Sequence, residues 1–238
     1  MRMKVTKINH VYQLTFMPTL FPVNCYLIEE EEYLTLIDAA LPSSYKKIMK
    51  TAERIGKPIQ QVILTHAHSD HIGSLDKLKE LLPHVQVSIS KRDARLLKGD
   101  KGLLQGEDDT PIRGGVPTSI QTLPDRLLVE GDQIGSLTVV ETPGHTPGSI
   151  SLLDTRTNAV IVGDALQVRG GIAVSGVMKW RFPAPAFATW SKVKALQSVL
   201  KIRELNPTLL AVGHGQMIAS PEEQINLAIK EAERRHMG

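Results

Sequence analysis

The chain of 238 residues is 42% hydrophobic and 22% charged, close to globular averages, which excludes a disordered polymer and allows a large core. Its net charge of +3 comes without a dense Lys/Arg block or a basic stripe interleaved with aromatics, so nucleic acid is not an expected partner. Met1 to Lys7 carry positive charge with no apolar stretch behind them, and no segment approaches membrane-spanning length. The single cysteine, Cys25, cannot form an internal disulfide and lies in an apolar run where a core residue is expected. A cytoplasmic protein that leaves membranes alone is the expectation.

In chain order, Val23 to Ile28 and Tyr33 to Ile37 read as strands, with Glu29 to Glu32 as a solvated turn between them. Pro42 and Ser43 open a helix to about Arg54, with Tyr45, Ile48, Met49 and Ala52 at helical spacing. Gln61 to Thr65 is a continuous run suited to a strand buried on both faces. Ile72 to Leu82 reads as a helix, Val85 to Ile89 as a strand and Lys91 to Leu97 as a helix. Gly99 to Pro124 mixes five glycines with Asp, Pro and Thr and little periodicity, which marks a mobile connection or a lid over a site. Strands are then expected at 126–130, 137–141, 149–153 and 159–162, a helix at 186–203, a strand at 208–212 and a closing helix at 221–235. Strands followed by helices in each half imply an α/β fold: a four-layer αββα sandwich in one domain over 1–238.

Four turns that follow these strands carry metal-ligand side chains. They hold His66, His68, Asp70 and His71 in one run, His145 in Thr142 to Gly148, Asp164 after Gly163, and His214 between Gly213 and Gly215. Neutral imidazole and carboxylate suit zinc and similar first-row ions, and a lone structural zinc needs only four ligands. Seven candidates without a cysteine therefore point to two divalent ions, zinc being favoured and iron or manganese the alternatives. A water between two such ions is activated for hydrolysis. Three imidazoles and a carboxylate within six residues have no economical packing explanation, whereas His10, His84 and His236 read as ordinary surface or core histidines. Gly73, Gly144, Gly148, Gly163, Gly213 and Gly215 are expected to let backbone approach the ions.

The His-x-His-x-Asp-His run, the Asn24-Cys25-Tyr26-Leu27 and Ile37-Asp38 segments and the final Gly213-His214-Gly215 resemble the metallo-β-lactamase superfamily across nearly the whole chain. The resemblance implies that His66, His68 and His145 hold one metal, that Asp70, His71 and His214 hold the second, and that Asp164 bridges them. It also implies the αββα sandwich, and it makes Asp70 the candidate to orient the attacking water or pass a proton to the leaving group. The best-known β-lactamases carry Cys where Asp164 stands, glyoxalase II relatives carry a further helical domain, and acyl-homoserine lactonases have a Tyr shortly after the bridging Asp. The chain departs from all three. Gly163 to Gly170 is similar to a segment of persulfide dioxygenases, which use one iron, and the likeness ends at Gly171-Ile172-Ala173. The expected activity is hydrolysis of a small carbonyl ester, lactone or thioester. Sulfur dioxygenation, phosphodiester cleavage and a non-catalytic metal-binding scaffold are the alternatives. Phe16 to Pro22 and Met178 to Phe187 are expected to shape a pocket for a substrate with an apolar part, with ordinary core packing or a homodimer contact as the alternatives. Arg169, Lys179 and Arg181 are the candidates for an anionic end of that substrate.

Overall fold

A computed structural model describes residues 2–236. The first half of the chain forms a seven-stranded sheet in sequence order: β1 (Met3–Ile8), β2 (Val11–Phe16), β3 (Val23–Glu29), β4 (Leu34–Ile37), β5 (Ile59–Leu64), β6 (Gln86–Ser90) and β7 (Arg126–Leu128). β1 to β4 pair antiparallel, and β4 to β7 pair parallel. The parallel crossovers are made by α1 (Tyr45–Ile55), by α2 (Ser69–Ile72) with α3 (Leu75–Leu81), and by α4 (Asp93–Leu97). The second half contributes β8 (Gln133–Ile134), β9 (Leu137–Glu141), β10 (Ile150–Asp154) and β11 (Ala159–Ile161), then a small ribbon of β12 (Leu166–Gln167) and β13 (Ala173–Val174). Helices α5 (Ala184–Ala188) and α6 (Lys192–Glu204), strands β14 (Leu209–Ala211) and β15 (Ile218–Ala219), and α7 (Glu222–His236) complete it. The second sheet has the order β15-β14-β11-β10-β9-β8.

The layers follow from period-two alternation on strands buried on both faces. On β3, Cys25 and Leu27 pack toward the helices of the first half, while Tyr26 and Ile28 pack between the sheets. On β5, Val62 and Leu64 face the helices and Ile63 faces the second sheet. On β14, Leu210 packs with α6 and α7, while Leu209 and Ala211 face inward. Three apolar layers therefore separate helices, sheet, sheet and helices, and the fold is the αββα sandwich. Cys25 is buried in this core, and burial raises its thiol pKa well above the usual value. Among the described residues no helix is long and apolar enough to cross a membrane.

Two expected helices are interrupted. The one at 72–82 breaks at Gly73-Ser74, where Ser74 Oγ accepts from Tyr45 N at 2.9 Å and donates to Leu41 O at 2.5 Å. The one at 186–203 becomes α5 and α6, because the Trp190 and Ser191 amides leave the helix ladder to bond His145 O and Gly144 O. Ser191 then caps α6 by accepting from Lys194 N. The four-glutamate turn is only half solvated. Glu31 and Glu32 are exposed, but Glu30 is buried against Arg156 and Ser136, and Glu29 pairs with Lys7 and Lys57. Those two cations hold the Glu29 carboxyl down at about 2 against the opposing effect of burial.

Candidate metal centre

Strand direction gathers the site. β4, β5 and β6 are parallel, so Asp38, His66 and Asp93 emerge past one edge of the first sheet. In the second sheet β9 and β11 both flank antiparallel β10 and so run the same way, while β14 is parallel to β11. His145, Asp164 and His214 thus leave at one end of that sheet. The two ends are stitched together. Ile150 N donates to Thr65 O at 2.9 Å, Asn24 N to Gly213 O at 2.9 Å, and Tyr26 Oη to Val212 O at 2.6 Å.

All seven sequence-predicted residues converge. His66, His68 and His145 form one group with potential ligand atoms within 4.8 Å of one another, as do His66, His71 and Asp164, and Asp70, His71 and His214. Asp164 stands between them, 3.4 Å from His71 Nε2, 3.4 Å from His145 Nε2 and 3.1 Å from His214 Nε2. Asp70 lies 3.5 Å from His214 Nε2 and 4.0 Å from His71 Nε2. His10 and His84 are exposed, as ordinary surface histidines should be, and the side chain of His236 lies outside the described residues.

Counting protons assigns every tautomer in the neutral rings. Carbonyls only accept, so His68 donates from Nε2 to Arg113 O at 3.0 Å, and His214 from Nδ1 to Pro22 O at 2.7 Å. His71 Nδ1 donates to the Asp38 carboxylate at 2.8 Å. Thr65 Oγ1 spends its one proton on Asp38 at 2.8 Å, so at 3.1 Å it must accept from His66 Nδ1. Thr189 Oγ1 donates to Pro185 O and Ser175 Oγ to Asp164 O, so both accept from His145 Nδ1. Every imidazole is thus held through its outer nitrogen, the arrangement that orients metal-bound histidines. In the neutral rings the inward nitrogens carry lone pairs alone.

That arrangement fits cations. Buried His66 Nε2, His71 Nε2 and Asp164 Oδ1 have no hydrogen-bond partner. His68 Nδ1 and His145 Nε2 face each other at 3.0 Å, lone pair to lone pair. Burial lowers the pKa of His66 and of His68, and brings His145 down to about 3, so all three stay in the ligating form. Burial acts in the same direction on His71 and His214, but the carboxylates outweigh it: Asp164, Asp38 and Asp70 at His71, and Asp164 and Asp70 at His214. Burial would raise the Asp164 carboxyl, yet His214 and His71 hold it well below the usual range. The centre favours positive charge.

The glycine expectation is corrected. A Cβ at Gly73 would strike Ala40 O and Pro42, at Gly144 Ala195, at Gly148 Asp93, at Gly163 Thr65 and at Gly215 Val168 and Arg169, so these five serve loop packing. Of the six expected glycines, Gly213 alone abuts the centre, where a Cβ would fall 2.0 Å from Asp164 Oδ1 and 2.8 Å from His71 Cε1.

Sequence reasoning did not single out Asp93. It is fully buried and joins two ligand-bearing loops: Oδ2 accepts from Ala67 N at 3.0 Å and Thr146 Oγ1 at 2.8 Å, and Oδ1 from Gly148 N at 2.9 Å. Burial raises its carboxyl from 3.8 to about 6 despite those bonds. Between these values the folded chain holds a proton that the unfolded chain has lost, so the residue's contribution to stability falls as pH rises through the window and stays low above it. In urea unfolding of metal-free protein, Asp93→Asn should gain on wild type by about 2 kcal/mol between pH 4 and pH 6.5. Parallel stability curves would contradict this assignment.

A model of the metallo-beta-lactamase superfamily matches residues 18–214. The chain belongs to that superfamily. Over 232 residues it is 56% identical to "Uncharacterized protein YobT" of Bacillus subtilis, covering 98% of this chain and all of that one. It is 27% identical over 213 residues to the hydroxyacylglutathione hydrolase GloC of Haemophilus influenzae, covering 87% and 92% of the two chains. Among solved structures, TTHA1623 in a di-iron-bound form aligns with a TM-score of 0.63 at 26% identity, covering 88% of this chain and 94% of that one. The FIM-1 metallo-beta-lactamase of Pseudomonas aeruginosa, in its mono-zinc form, gives 0.76 at 18% identity, covering 100% and 98%, a likeness of fold alone. The chain is thus a superfamily member with histidine and aspartate groups able to bind metal.

Proposed function

We propose that this member is a hydrolase of a small carbonyl ester, lactone or thioester, working with two divalent ions, zinc foremost. The observation that carries the reading is the hydrogen-bond pattern: all five imidazoles are held through their outer nitrogens, so that in the neutral rings five inward nitrogens offer lone pairs around two carboxylates. His66, His68 and His145 would hold one ion, Asp70, His71 and His214 the other, with Asp164 shared. Two ions so held would lower the pKa of a water between them and polarise the substrate's carbonyl oxygen. Asp70 is suited to carry the proton. Its side chain is 28% exposed, against 4% or less for His71, His145, Asp164 and His214, and no hydrogen bond outside the centre fixes it. The imidazoles have committed their protons to fixed acceptors, so Asp70 is left to take one from water and deliver it to the leaving group.

Apolar side chains flank the centre and support a substrate with an apolar part. The Phe21 and Phe182 rings pack at a tilt with centroids 4.9 Å apart and lie 5.4 and 5.1 Å from the His214 ring. Beside them Leu20 and Trp180 are 82% and 91% exposed, and Phe187 is 62% exposed two residues before Thr189, which touches His145. Of the expected anion partners, Lys179 is taken by Glu231 at 2.5 Å, and Arg169 holds Thr19 O at 2.6 Å, which leaves Arg181. The thioester class has further support in the similarity to GloC, a hydroxyacylglutathione hydrolase.

One preparation should be assayed against aryl esters, lactones, thioesters and phosphodiesters, before and after chelation. Chelator-sensitive turnover of a carbonyl substrate is expected. Phosphodiesters alone as substrates, or oxygen uptake with one iron per chain, would overturn the reading.

A further inference from the structure

Residues 99–124 contain no regular helix or strand, yet they are anchored in three places. Glu107 is bound by Arg92 at 2.5 and 2.8 Å, and the Gln121 and Thr122 amides donate to Asp76. Between them, Arg113 O accepts from His68 Nε2 at 3.0 Å, while Gly115 O accepts from Ser69 N at 2.8 Å and from Ser69 Oγ at 2.5 Å. Gly114, at φ +86°, lies flat on the His68 ring: a Cβ there would fall 2.4 Å from Nε2 and 2.5 Å from Cε1.

We propose that residues 113–115 are a clamp on one half of the metal centre, and that Arg113 O and Gly114 are positioning elements for His68. The inference rests on the two-metal reading above. His68 Nδ1 and His145 Nε2 are only 3.0 Å apart. If the Nε2 proton of His68 lost its carbonyl acceptor, a proton on Nδ1 would be favoured, because it could then donate to His145. That single hydrogen bond would close the pair on itself and remove two lone pairs from the His66/His68/His145 group. The Arg113 carbonyl holds the proton on the far nitrogen, and a residue without Cβ is what lets the loop come this close. Among the described residues no hydrogen bond joins 113–115 to Asp70, His71 or His214, so the dependence is expected to fall on one ion. The segment is therefore part of the site's framework instead of a free lid.

The test compares Gly114→Ala with Gly106→Ala. Gly106 has nearly the same φ, +87°, but nothing lies within 4 Å of its Cβ, so it controls for backbone strain alone. Zinc binding is measured by competition with a chromophoric chelator. Wild type and Gly106→Ala should bind two ions with equal affinities, and Gly114→Ala should bind one of the two about tenfold or more weakly. If wild type binds two and Gly114→Ala matches it, the clamp is overturned alone; if wild type binds none, the parent reading falls and the clamp with it. A second measurement needs no variant. Nitrogen-15 NMR of the metal-free wild-type chain should show His68 protonated on Nε2, and a proton on Nδ1 would overturn the proposal.

Discussion

Asp164→Asn is expected to bind no more than one ion and to lose well over about 100-fold in kcat/KM, more than removal of an outer partner of a ligand costs. The carboxylate touches imidazoles of both sets, with His145 on one side and His71 and His214 on the other. Asparagine keeps the volume but removes the charge and one of the two acceptor oxygens, so each ion loses its shared ligand. Thermal melting provides a second readout. A ligand that binds only the folded chain stabilises it by about 4 kcal/mol at a thousand times its Kd. The wild-type melting temperature should therefore drop on chelation, and that of Asp164→Asn should move much less. Equal responses would show that Asp164 does not bridge.

Asp38→Ala should lose about 10–100-fold in metal affinity although Asp38 belongs to none of the candidate ligand groups. Its Oδ1 accepts from Thr65 N at 2.8 Å, and its Oδ2 from Thr65 Oγ1 and His71 Nδ1, each at 2.8 Å. One carboxylate thus orients His71 directly and His66 through Thr65. The backbone at Asp38 is left-handed, φ +61°, a conformation that Asp and Asn accept more readily than alanine. Truncation would leave these buried donors without an acceptor, at a cost of roughly 2–5 kcal/mol in the metal-free chain. Asp38→Asn keeps the backbone preference and one acceptor, so it should fall between wild type and Asp38→Ala in both measurements. A metal affinity in Asp38→Ala equal to wild type would remove the orienting role.

The strands that position the centre were legible because both their faces are buried. Gln61 to Thr65 and Thr208 to Val212 are apolar runs, and the ligands follow directly where each run stops. The His66 to His71 cluster was legible as chemistry because packing gives no reason to gather imidazoles. What holds those imidazoles was not. The Arg113 and Pro22 acceptors are main-chain carbonyls, which every residue possesses, so no residue type marks them. Asp93 reads as an acidic residue at the start of a helix, and its burial depends on Ala67 and Gly148, which only the fold brings to it. Asp38 was visible as an acidic strand end, without its link to His71. The expected helix at 186–203 ignored the competition between its own amides and the Gly144 and His145 carbonyls, which a helical pattern does not reveal.

The most direct measurement is anomalous diffraction at the metal absorption edge, on crystals of the full chain grown without chelator. Two peaks are predicted, one among His66, His68 and His145 and one among Asp70, His71 and His214, with Asp164 between them. A single peak, or none, from crystals supplied with excess zinc would contradict the two-metal account.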